Sequence, residues 1–209
     1  MNIVGSNTPS IGFCCERRSS GSRYTYTLTT RLADLLQEAQ ERFGPRDHEW
    51  TPIGIEFGGQ NPSTWYPGIG NCKYVSIKLS ANAANDPQRA LFQLAHEVIH
   101  LLGPGPKKET LTIEEGVATF FSIEVAARFG FAFKYDAPAY DHAGERVTEL
   151  LRIAPDAVKR LRAKRPSFAS FTPEFIRSVL PAVSERLAVD LCEPFAELRG
   201  RLQGAGEGA

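Results

Sequence analysis

The sequence has no surplus of either charge: 24 Lys and Arg stand against 24 Asp and Glu. Without a basic excess there is no source for long-range steering of a polyanion, so no nucleic-acid partner is expected. It has no apolar run approaching the roughly 18 residues of a membrane span, so no membrane partner is expected. It begins with neither a basic start nor a continuous apolar stretch, which leaves no visible signal peptide. It has no internal repeat. Its four cysteines are Cys14, Cys15, Cys72 and Cys192, with no C-x-x-C among them. An adjacent pair and two isolated cysteines do not make a disulfide framework, so a reducing, cytoplasmic location is expected. Cys72 reads as a small buried residue. The one basic run, Lys159 to Arg165, reads as a solvated helix face.

What is present suits one domain with tails. Residues 1–23, rich in Ser, Gly and Asn, read as a loosely ordered leader, with a short strand around Ile11 to Cys14 as the other reading. Residues 24–202 read as a single domain and 203–209 as a disordered tail. Tyr24 to Leu28 alternates like a strand. Leu32, Leu35, Leu36, Ala39 and Phe43 recur at helical spacing and stop at Gly44-Pro45. Ile53 to Phe57 and Lys73 to Leu79 alternate as strands, and the simplest pairing for them is antiparallel. Between them, the Gly/Pro/Asn-rich stretch from Gly58 to Asn71 reads as a loop long enough to have a function, such as gating a cleft. A helix over 87–102 has Asn85 or Asp86 to cap it, Pro87 in its first turn and Gly103 beyond its end. A second runs over 112–129. Phe131 to Tyr135 reads as a brief extended piece. Helical patterns resume over 143–153, 155–163 and 173–201, the last broken at Pro181 and Pro194.

The chemistry concentrates in His96-Glu97-Val98-Ile99-His100. Histidines four apart share one helix face, so both rings can reach one metal ion, and Glu97 points aside, where it can hold a water. Both histidines lie at the edge of the apolar stripe Leu91, Leu94, Ala95, Val98 and Leu102, which half sinks the site against a core. A catalytic zinc needs a third protein ligand. A third histidine at the spacing of the metzincins would fall at position 106, which is Pro106. The candidates that remain are Glu115 and, as the alternative, Glu114. Glu115 shares its face with Ala118, Thr119 and Ser122, and small residues there let its helix approach the first closely, with Gly116 removing one more side chain. A second reading competes: Thr112-x-x-Glu115 is also a capping box, in which Glu115 turns back to its own helix start.

His96, Glu97 and His100, followed by Glu115-Gly116-Val117-Ala118, resemble the gluzincin-type metallopeptidases, with H-E-x-x-H on one helix and Glu-Gly-x-Ala on the next. Arg89 to Glu97 is also similar to the motif helix of the ImmA/IrrE group of small intracellular zinc proteases. The resemblance covers about residues 73 to 125. It implies an α+β, zincin-like fold: a small antiparallel or mixed sheet on the motif helix (24–129), then a helical C-terminal part (140–202). It implies Zn²⁺ held by His96, His100 and Glu115, and a peptide or protein substrate cut by a metal-bound water with Glu97 as general base. It also implies an edge strand on which substrate adds, either Ile53 to Phe57 or Lys73 to Leu79. Tyr135, Tyr140 and His142 are candidates for an oxyanion donor. Two other classes compete with the peptidase: a zinc-binding regulatory or interaction module without useful hydrolysis, and a structural helical protein with a fortuitous motif.

Overall fold

The computed structural model describes residues 28–68, 70–105 and 109–206. The leader, the cysteine pair Cys14 and Cys15, and the strand expected from Tyr24 lie outside the described residues, except Leu28, which opens a helix. In chain order the elements are α1 (Leu28–Phe43), β1 (Thr51–Phe57), β2 (Ser63–Trp65), β3 (Tyr74–Leu79), α2 (Pro87–His100) and α3 (Thr112–Arg128). They continue with α4 (Pro138–Ile153), α5 (Ala157–Lys164), α6 (Pro173–Val179), α7 (Glu185–Cys192) and α8 (Phe195–Gly206). The fold is α+β, with a small mixed sheet and a helical C-terminal part. No helix among the described residues is long and apolar enough to cross a membrane.

The sheet corrects the expected antiparallel pairing. Its order is β1-β3-β2, with β1 parallel to β3 and β2 antiparallel to it. Burial explains the order. Val75, Ser76, Ile77 and Leu79 are all buried, so β3 is covered on both faces and takes the centre. β1 and β2, largely exposed or half-buried, take the edges. The stretch from Gly58 to Asn71 is therefore more than a connection: it carries the second edge strand.

α2 forms where its signals place it. The Asp86 side chain accepts from the Arg89 amide at 3.0 Å, and Pro87 occupies the first turn. Leu91, Leu94, Ala95 and Val98 are fully buried. Truncating one such leucine to alanine typically costs about 2–5 kcal/mol, so this face anchors the helix in the core.

The C-terminal helices clamp this layer. α3 starts beside the α7–α8 connection: the Thr112 amide and hydroxyl both donate to the Glu193 carbonyl, at 2.9 and 2.8 Å. Arg162, expected on a solvated face, is buried. Its guanidinium gives all five N–H bonds to carbonyls, those of Phe43, Gly44, Pro45, Leu102 and Pro166, at 2.8–3.0 Å. It thus ties the end of α1 to the turn that ends α2, and the carbonyl ends of two helices stabilise its charge. Two other expectations change. Phe131 to Tyr135 has no regular secondary structure, and residues 203–206 of the expected tail belong to α8.

Candidate metal centre

His96 and His100 project from the last two turns of α2, and Glu114 and Glu115 from the first turn of α3. The Nε2 atoms of the two histidines are 3.3 Å apart. One Glu115 carboxylate oxygen lies 3.3 Å from His96 Nε2 and the other 3.7 Å from His100 Nε2. Among the described residues, these three side chains are the group whose donor atoms converge closely enough to hold a metal ion. The capping box does not form. Leu111, not Thr112, is the N-cap residue, and the Thr112 hydroxyl is committed to Glu193. Glu115 is thereby left to face the histidines.

The other nitrogen of each ring is also engaged. His100 Nδ1 lies 2.9 Å from Glu114 Oε1, and Glu114 is almost fully buried. The alternative ligand is thus the residue that orients a ligand candidate from behind. His96 Nδ1 lies 2.7 Å from the Tyr135 hydroxyl, which in turn lies 2.7 Å from the Ser122 hydroxyl. Burial by itself would lower the His100 pKa, but the carboxylates of Glu115, Glu114 and Glu97 outweigh it and hold the value up at about 9.

Glu97 is buried beside this group. Burial raises its pKa, against the pull of His100 and His96 and of the Thr64 backbone amide. The centre opens on a cleft of about 460 Å³ whose far wall is Pro62, Ser63, Thr64 and Tyr66. The edge strand that lines the cleft is β2; of the two strands expected to offer an edge there, β3 is central, and no residue of β1 lines the cleft. The sequence signal for β2 is confined to Thr64 and Trp65, two β-favouring residues inside a loop-like composition, too few to mark a strand.

The three candidate donors separate. The Tyr135 hydroxyl is taken up between His96 and Ser122. His142 does not line the cleft. Tyr140 lines it, and its hydroxyl has no hydrogen-bond partner among the described residues. Burial, reinforced by Glu115, pushes its pKa up to about 12, so the phenol keeps its proton at neutral pH. Cys72 is exposed rather than buried and takes no part.

Gly116 contributes differently from the expected way. A Cβ there would collide with the Ala143 carbonyl oxygen and lie 2.7 Å from Val147 Cγ2. Its missing side chain serves the approach of α4 to α3, not of α3 to α2. No protein-family model matches the chain, and no curated protein or solved structure matches it significantly.

Proposed function

We propose that this protein is a zinc-dependent peptidase of gluzincin type. The observation that carries the reading is the convergence of two imidazoles and one carboxylate on a cleft, with a fourth side chain, the separate carboxylate of Glu97, buried beside them. The donor set fits the ion. For bonds of about 2.0–2.1 Å, a tetrahedral site needs donors about 3.3 Å apart; the two Nε2 atoms are 3.3 Å apart, one Glu115 oxygen is 3.3 Å from His96 Nε2 and the other 3.7 Å from His100 Nε2, and with one atom from each residue the three donors lie within 4.8 Å of one another. His96, His100 and Glu115 would hold it. Bound there, zinc supplies Lewis acidity towards water and a substrate carbonyl.

The chain's own groups do the rest. Glu97, with its pKa raised by burial, takes a proton from the attacking water and hands it to the departing amine. Tyr140, a protonated phenol without a protein partner among the described residues, donates to the carbonyl oxygen as negative charge develops on it. β2, which ends the sheet at the cleft, aligns an extended peptide by backbone pairing.

The test is zinc content together with cleavage of an unstructured protein. We expect one zinc per chain and cleavage that chelator and Glu97→Gln both abolish. A purified protein with no zinc above trace, or a Glu97→Gln variant that cleaves like wild type, would sink the reading.

A further inference from the structure

The hydrogen bonds behind His96 have a direction that can be worked out. A hydroxyl has one proton to give. Ser122 gives its proton to the Thr119 carbonyl at 2.9 Å, a group that can only accept. Towards Tyr135, 2.7 Å away, Ser122 must then accept. Tyr135, having spent its proton on Ser122, must accept from His96 Nδ1. We propose that Tyr135 is a positioning residue for His96: its phenol oxygen takes the Nδ1–H bond in a chain of fixed polarity that ends on the Thr119 carbonyl, and this leaves the Nε2 lone pair aimed at the metal position.

The tautomer is thus dictated from the protein side, by a chain that begins 39 residues away in sequence from the ring it orients. The segment that delivers Tyr135 has no regular secondary structure, and ring contacts hold it instead. Phe133 stacks on Phe92 with centroids 4.8 Å apart, and Tyr135 packs on Phe92 at 4.9 Å and on Tyr140 at 4.5 Å. Phe92 lies one helical turn before His96, so the aromatic anchor and the hydrogen bond address the same face of α2. Burial raises the Tyr135 pKa far above the ordinary phenol value, which keeps the group neutral.

The two histidines are therefore unequal. His100 gives its Nδ1 proton to a carboxylate, which enriches the ring and strengthens Nε2 as a donor. His96 gives its proton to a neutral oxygen and is the weaker donor of the pair. Loss of the Glu114 charge should cost more zinc affinity than loss of the Tyr135 hydroxyl.

The inference rests on the metal-site reading, and the experiment keeps the two apart. Zinc affinity is measured by chelator competition for wild type, Tyr135→Phe, Ser122→Ala and Glu114→Gln. The His96 Nδ1 proton is followed by NMR in the zinc-loaded protein. Phenylalanine keeps the ring stack and removes only the hydroxyl. We expect Tyr135→Phe to weaken zinc binding by about 10–100-fold, the usual range for such partners, and to abolish the slow exchange of the His96 Nδ1 proton. Ser122→Ala should weaken binding less, and Glu114→Gln more. Wild-type zinc affinity and a protected Nδ1 proton in Tyr135→Phe would overturn the proposal alone. A wild-type chain that takes up no zinc would overturn the metal reading beneath it.

Discussion

The α2–α3 layer and the C-terminal helices divide the work of this protein. The layer supplies every converging donor: His96 and His100 from one helix, Glu115 from the other. The C-terminal helices supply none of the three, yet they fix where the layer sits. Arg162 of α5 holds the turn after His100. The Ala143 carbonyl of α4 occupies the space that Gly116 leaves open. The Glu193 carbonyl, after α7, anchors the residue two before Glu114. The difference teaches that a site can be two helices deep in sequence and still depend on the whole fold for its geometry. Substitutions in the shell should cost stability first and lose the site as a consequence. Substitutions in the site should separate metal, turnover and stability from one another.

The sharpest test of the shell is Arg162→Met. It strands five carbonyls, and each buried acceptor left without a donor costs about 1–3 kcal/mol. Partial exposure to water will recover some of that, so we expect a loss of about 4 kcal/mol. For a chain of this size that corresponds to a fall of roughly 8–16 °C in thermal midpoint. A melt within a degree or two of wild type would show that the clamp is dispensable. Gly116→Ala comes next. The added methyl meets backbone, which cannot rotate away, so a loss of about 3 kcal/mol is expected, at the upper end of overpacking. If Gly116→Ala melts like wild type, α4 is free to move away from α3.

The site variants should behave differently. Glu115→Ala should lose most of its zinc and, with it, the stabilisation that zinc binding lends the fold. In chelator the variant and the wild type should melt nearly together, which the two shell variants cannot do. Retention of full zinc by Glu115→Ala would remove it from the donor set. Glu97→Gln should have the smallest effect on stability of the four, with zinc content and melting nearly unchanged. Its turnover should nevertheless fall by about 10²–10⁴-fold, the usual contribution of a general base. Tyr140→Phe offers a finer contrast within the layer: peptide turnover should fall while zinc affinity stays, the converse of the expectation for Tyr135→Phe.

How legible all this was follows from the range of the forces involved. Helix positions rest on neighbours three and four residues apart, on caps and on proline. The sequence alone therefore placed α2 between Asp86 and Gly103, broke the last helical stretch near Pro181 and Pro194, and put His96 and His100 on one face. It narrowed the third donor to Glu114 or Glu115, because few other carboxylates follow the motif closely. Adjacent residues on a helix point about 100° apart, so the choice between them waited on where α2 lies against α3. There Glu115 meets both Nε2 atoms, and Glu114 meets Nδ1 of His100 from behind. Strand pairing, too, belongs to the tertiary structure. β2 has only three residues and acquires its identity by pairing with β3, so composition alone could not distinguish it from loop. The same holds for Tyr135 and Arg162. Neither has a local signature, because Tyr135 meets His96 from 39 residues away and four of the five Arg162 acceptors lie 60 to 119 residues away, and only packing brings them together.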